Sequence, residues 1–511
     1  MNPDRAIVIG AGVGGLSAAI RLAIAGVRVT LLEKNERVGG KLNLRQIPHP
    51  SRPSERPFAF DTGPSLLTMP EVFEDLFRAA GHDLRRDLPI VRLDPIARFV
   101  WADATSFELA ADPQTRLENV RKLAPGDVEG FERLLETGRH YWDVGGELFL
   151  FRAPEQFLAD ARSPLDGLRT ALVPFRIGIF QKYRVLIDRH VRHPKLRELL
   201  YQYATYSGAS PFKAPATLAV IPFVEQHFGG WYIEGGMYRL AEAMEAIARE
   251  LGVEVRTNCP VTRILVEPDG RKARARGVRL STGEELHADV VLCNSDVIWS
   301  YRNLIEPRFR PHFADRKLDR IEPGGSGMVL LLGVEGTYPQ LAHHTKFMPD
   351  DYRSDLRAMF DTLTIPDDPC IYVCATTRSD PSQAPEGCEN LFVLCSAPPL
   401  TASIDWTTAA RSYRDQIVRT LETRFGLTDL SKRIVVEQMM TPRDLASLYN
   451  ANLGSIYGIS SNSLRTAFLR PPNRDRHIRG LFFAGGATHP GGGLPLVALS
   501  GKIAAELVLA S

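Results

Sequence analysis

A chain of 511 residues, 44% hydrophobic and 24% charged, is long for one core and ordinary in composition, which excludes disordered and fibrous classes and points to two or three globular domains. Its formal net charge of +2 argues against a dedicated nucleic-acid binder. Six cysteines, Cys259, Cys293, Cys370, Cys374, Cys388 and Cys395, lie scattered in the second half, mostly in apolar runs, and read as buried thiols. Cys370 and Cys374 read as small core hydrophobes, since no second ligand pair stands at a zinc-like spacing, and no metal site is expected.

The N-terminus shows no signal peptide, and the longest uncharged apolar run, Met328 to Val334, falls far short of the roughly 20 residues of a spanning helix. A cytoplasmic protein is expected. The first element is a βαβ unit: the strand AIVI, a turn in which Gly10, Gly12 and Gly15 form G-x-G-x-x-G, an amphipathic helix closed at Gly26, and a strand ending at Glu33. Gly10 makes the turn, Gly12 admits a pyrophosphate to the backbone, and Gly15 lets helix pack on strand. The helix N-terminus offers free N–H groups to phosphate, and Glu33 accepts from ribose hydroxyls, which favours a cofactor without a 2′-phosphate.

Beyond Glu33 the run Lys34-NERVGGKLN places Arg37, Gly39-Gly40 and Lys41 just past the second strand. This doublet gives close backbone approach and a cation near cofactor phosphates or flavin, and it resembles that of FAD enzymes of the amine oxidase and carotenoid desaturase type. No second G-x-G-x-x-G follows a strand, so NAD(P)H has no evident home and the electrons are expected to leave for oxygen or a quinone. From about Arg85 to Trp231 the pattern turns helical, and Leu165 to Arg197 holds eight Lys/Arg against two Asp. Such a segment suits an anionic lipid surface or a solvated basic face equally. His343-His344 reads as structural, because neighbours on a strand project oppositely. Near the C-terminus a buried strand GLFFAGG leads to Gly485-Gly486, and after Thr488-His489-Pro490 and three glycines a final helix begins with Pro495 in its first turn.

Ordered matches over nearly the whole chain carry a wider resemblance: FAFDTGPSLLTMPEVFEDLF, GGWYIEGGMYRLAEAM, GVEVRTNCPVTRI, ADVVLCNSDV, LAHHTKF, APEGCENLFVLCSAPP and HPGGGLP. The sequence resembles the bacterial phytoene desaturase family of carotenoid dehydrogenases. The resemblance implies a mixed α/β fold: a Rossmann-type FAD-binding domain of the amine oxidase and dissociation-inhibitor type, a mixed-sheet substrate domain and a helical, membrane-associating region. FAD binding is expected from residues 1–84, 231–300 and 461–511, the substrate domain from 85–130 and 301–460, and the helical region from 131–230.

Cofactor contacts are expected at Gly10, Gly12, Val13, Gly14, Gly15, Glu33, Lys34, Gly39, Gly40, Lys41, Gly63, Pro64, Ser65, Val261, Gly486, Ala487, Pro495, Leu496 and Val497. The final helix N-terminus is expected to face the flavin and favour its reduced, negative form. His489 stands beside it, read as a brace for the glycine loop with a catalytic role as the alternative. The resemblance implies a carotenoid desaturase acting on a C30 or C40 polyene at the inner face of the cell membrane. The HPGGG-L-P-L and S-S-N details resemble hydroxycarotenoid 3,4-desaturases and terminal carotene oxygenases at least as much. A flavin amine oxidase and a non-enzymatic prenyl-binding protein of the Rab escort type are the rival readings.

Overall fold

The strand Arg5–Ile9 is buried at every position after its first, as a parallel strand covered on both faces must be. It lies at the centre of a parallel sheet ordered Leu481–Phe483, Val290–Cys293, Arg5–Ile9, Arg28–Leu32, Glu254–Arg256. Segments from the start, the middle and the end of the chain thus build one sheet. The computed structural model describes residues 3–157, 172–400, 404–468 and 470–511.

Helices Val13–Ile24, Arg239–Glu250 and Leu494–Leu509 share one apolar cluster against this sheet. Val13–Ile24 begins directly after the glycine turn, and Leu494–Leu509 packs along it. The approach is close because the contact is made of small residues: a Cβ on Gly501 would stand 2.2 Å from the Gly14 carbonyl oxygen and 2.9 Å from Ser17 Cβ. Gly15 has the same role against the turn, where a Cβ would meet the Gly10 carbonyl oxygen at 2.1 Å. Ser17 Oγ donates to the Ala498 carbonyl at 2.8 Å and ties the helices together at this point.

A second, seven-stranded sheet runs Ile434–Met440, Ser326–Glu335, Cys388–Ala397, Ile371–Cys374, His344–Phe347, Ala97–Val100, Ser106–Leu109. Its pairings are antiparallel except His344–Phe347 with Ala97–Val100. Ser326–Glu335 is buried at nine of its ten positions, so the run near Met328 that is too short for a membrane is a central strand. Helices such as Val128–Tyr141, Tyr183–His190, Pro194–Tyr201 and Val220–Phe228 stand against this sheet around a shared apolar cluster that includes Phe99, Phe131, Tyr183 and Leu200.

Residues 165–171 of the basic stretch lie outside the described residues. The remainder is broken: Val191 is extended and Pro194 opens a new helix, which prevents one continuous amphipathic face. Arg184 and Arg197 both pair with Asp188 at 3.4 Å, and Arg197 Nε also donates to the Val191 carbonyl. Among the described residues no helix is long and apolar enough to cross a membrane.

Gly501→Ala should force the two helices apart. The expected loss is about 1–3 kcal/mol, the usual scale for overpacking, read as a lower urea midpoint; an unchanged midpoint would show that the helices separate freely.

Candidate functional site

One cavity of about 870 Å³ runs between the two sheets. Every cofactor contact expected from the sequence lines it, except Gly14 and Gly15, which face helix and turn instead. At its floor, Gly12 is the N-cap of Val13–Ile24, and the first intrahelical bond is Leu16 N to the Gly12 carbonyl, so the N–H groups ahead of Leu16 have no partner within the helix. Leu494–Leu509 repeats this arrangement, its first bond being Val497 N to the Gly493 carbonyl. Two helix N-termini therefore open onto one space.

Glu33 is buried, and that burial pushes its carboxyl pKa up against the pull of two backbone donors. Its Oε2 accepts from Ala11 N and its Oε1 from Asn35 N, both at 2.9 Å. A carboxylate has about four acceptor sites, so the side chain is held rigidly with capacity to spare. Cys259 N donates to the Glu33 carbonyl at 2.8 Å, which sets Val261, the first residue of the strand Val261–Asp269, beside it in the cavity wall.

Lys34 and Lys41 are committed to the chain. Lys34 Nζ donates to the Ser447 carbonyl and to Asn450 Oδ1. Lys41 Nζ donates to the carbonyls of Ser455 and Ile456, and burial lowers its pKa to about 8. The expected cation near the cofactor is thus also a tie across to the segment that follows the second sheet. Gly63 packs on that same lysine, since a Cβ there would lie 1.8 Å from the Lys41 carbonyl oxygen. Ser65 Oγ and Tyr372 Oη share a hydrogen bond of 2.7 Å.

In the tail loop, Gly491 and Gly493 hold φ of +135° and +116°, a region closed to other residues. Gly492 is ordinary in φ but tight, a Cβ meeting the Tyr457 carbonyl oxygen at 3.1 Å. His489 is buried, and burial holds its pKa down at about 4. Its Nε2 donates to the Arg152 carbonyl at 2.8 Å, and its ring meets Phe157 edge-on. Asn473 Nδ2 and Ser500 Oγ both donate to the His489 carbonyl, joining the loop to the final helix.

His343 precedes its strand rather than sitting in it, so strand alternation does not separate it from His344. The two rings lie 4.5 Å apart, and with Cys374 their donor atoms fall within 4.8 Å of one another. His343 Nδ1 bonds Ser379 Oγ and His344 Nδ1 bonds Tyr372 Oη. The three donors are one short of a structural zinc set. The cysteines carry no disulfide; Cys259 and Cys370 are partly exposed, and both line the cavity.

Several residues of the site escaped sequence reasoning. Asn294, in the NSD run just past the strand Val290–Cys293, donates from Nδ2 to the Gly10 carbonyl at 3.2 Å and touches the positions where Cβ atoms of Gly12, Gly14 and Gly15 would stand. Asp61, in the quoted FAFD run, lies behind the wall residues Thr62 and Gly63, where it accepts from Met237 N and Tyr238 N, and burial raises its pKa to about 6. Gln202, Glu225 and Lys346 line the far part of the cavity. An NSD after a buried strand was visible; the other positions depend on tertiary packing.

A model of the flavin containing amine oxidoreductase family matches residues 13–509. The chain belongs to that family. It is 39% identical over 512 residues to a 4,4'-diapolycopene oxygenase of Methylomonas sp, covering 99% of this chain and 98% of the relative. It is 34% identical over 514 residues to a 4,4'-diaponeurosporene oxygenase of Staphylococcus aureus, covering 98% and 97%. Solved structures with the same fold include an oxidoreductase from Methanosarcina mazei (TM-score 0.62, 15% identity, 98% and 99% covered) and a putrescine oxidase bound to putrescine (TM-score 0.61, 15% identity, both chains covered fully, at 100%).

FAD is the cofactor of this flavin oxidoreductase. The residues fit it: glycine turns that a Cβ would fill, two helix N-termini with unsatisfied N–H groups, and a buried acid with spare acceptor capacity converge on one cavity. Glu33→Ala should weaken FAD binding ~10- to 100-fold, the scale of charged hydrogen bonds. Flavin retained by the purified variant during a fluorescence titration against apoprotein measures this, and wild-type affinity would remove Glu33 from the ribose site.

Proposed function

We propose that this protein oxidises an acyclic C30 or C40 polyene at an allylic carbon. The observation that carries the reading is the continuity of the cavity: the walls proposed to hold FAD pass without a break into apolar walls formed by residues such as Phe149, Ile177, Leu218 and Ile221. FAD held there would supply a hydride acceptor, with oxygen or a quinone as the proposed final oxidant. The chain's own residues confine the polyene between the two sheets, keep water from the reacting carbon, and hold the glycine loop at the mouth of the final helix. Desaturation follows when the adjacent carbon loses a proton, and this is the main reading.

Terminal oxygenation is the second reading, favoured by the names of both relatives and by the buried polar side chains at the far end of the cavity. Expression in cells supplying lycopene-type or diapolycopene-type hydrocarbons distinguishes the two. Desaturation is expected to lengthen the chromophore with no gain of oxygen, and oxygenation to add 14 or 16 mass units per end, as chemistry dictates for a methyl converted to an aldehyde or a hydroxymethyl group. Absence of any pigment change would overturn the polyene reading.

The membrane is the proposed source of substrate. Phe175 and Phe180 are 66% and 67% exposed with rings 5.4 Å apart, and Ile177 between them is buried in the cavity wall. An aromatic pair next to the wall of a lipophilic cavity suits insertion among lipid chains. Phe175→Ser with Phe180→Ser should lower co-sedimentation with anionic liposomes several-fold while flavin content stays intact; unchanged co-sedimentation would show the pair to be ordinary surface.

A further inference from the structure

A pure hydrocarbon offers nothing to a polar side chain, yet four buried polar residues line the far part of the cavity. Gln202 follows the helix Pro194–Tyr201, Glu225 sits on Val220–Phe228, and His344 and Lys346 lie two apart on one strand and so share a face. Lys346 Nζ donates to Gln202 Oε1, and the rings of Tyr206, Phe99 and Tyr372 lie 4.8, 5.9 and 6.0 Å from it. Tyr203 Oη donates to Glu225 Oε1 at 2.6 Å.

This set is incompletely satisfied. Gln202 Nε2, Glu225 Oε2 and His344 Nε2 are buried without a well-formed hydrogen bond, the Tyr206 hydroxyl standing near both Gln202 and Glu225 as their shared polar neighbour. An ammonium carries three N–H donors, and among the described residues Gln202 Oε1 is the one acceptor recorded for Lys346. Buried polar groups are ordinarily paired, so several unpaired ones on a single cavity wall mark a place where a ligand brings its own polar atom. Burial lowers the pKa of Lys346 and raises that of Glu225, so each charge is held at a cost that a polar partner in the cavity would reduce.

We propose that Lys346, with Gln202 and Glu225, binds the oxygen of an end-functionalised polyene: an acyclic chain whose terminal carbon carries a hydroxyl or a carbonyl. A carbonyl oxygen accepts from Lys346 Nζ. A hydroxyl accepts from Lys346 and donates to Glu225 Oε2. The enzyme therefore prefers a chain that has already been oxidised once at its end, and Lys346 sets that preference. This inference rests on the polyene reading of the cavity.

The test is a binding titration of the FAD-loaded protein with three polyenes of equal length in detergent micelles: the hydrocarbon, its terminal alcohol and its terminal aldehyde. The wild type should bind the aldehyde with its absorption moved to longer wavelength than in micelles, because a donor on a conjugated carbonyl lowers its excitation energy. Lys346→Met should abolish that shift and lower the ratio of aldehyde to hydrocarbon affinity ~10- to 100-fold. Glu225→Gln, which keeps the side-chain shape, should lower the ratio of alcohol to aldehyde affinity and carries the test if Lys346→Met fails to retain flavin. Unaltered ratios and a retained shift would overturn the assignment while leaving the polyene reading in place. Failure of the wild type to bind any of the three would overturn both.

Discussion

The whole arrangement depends on a backbone crossing with no room for side chains. The helix Val13–Ile24 and the helix Leu494–Leu509 meet where Gly14 and Gly501 touch, and Asn294 reaches the same spot from the strand Val290–Cys293. Three stretches hundreds of residues apart in sequence converge there, and the positions of both helix N-termini follow from the contact. Close packing transmits such a constraint because interiors yield little. The cofactor cradle is therefore less a motif than the consequence of a tertiary junction.

Legibility in the sequence divided along the same line. The βαβ unit was readable because its signals are local: apolar strand, glycine spacing, amphipathic helix, acid at the strand end. The final helix was readable from Pro495 and the glycines before it. Lys41 shows the boundary: its presence was visible, while its bonds to the carbonyls of Ser455 and Ile456 depend on a partner more than four hundred residues away. His343 and His344 illustrate a misjudged boundary, since one residue of difference in where a strand begins decides whether alternation applies. Lys346, on a strand of otherwise ordinary appearance, gave no local sign of facing a cavity.

The two halves of the cavity use polar groups in opposite ways. At the end proposed for the nucleotide, the polar groups on offer are backbone N–H groups and Glu33, whose orientation is fixed by bonds to Ala11 and Asn35. Across the second sheet the backbone is consumed by the strand ladder, so side chains alone can meet a ligand. There the walls are hydrocarbon and a few buried groups stand out against them. In a low-dielectric setting each such group discriminates strongly, because an unmatched partner leaves it stranded.

The discontinuous sheet also has a temporal side. The strand Val290–Cys293 is translated long before Leu481–Phe483, the neighbour that completes its edge. The intervening 187 residues take about 10–40 s at a synthesis rate of roughly 5–20 residues per second. During that interval the ribosome carries a chain whose buried strand has an open, apolar flank, VVLC, of the kind that pairs with other chains. The last helix supplies one of the two N-termini that open onto the cavity, so the proposed flavin site is incomplete until the same event. Slower elongation would lengthen that exposure, and a holdase would shorten its consequences.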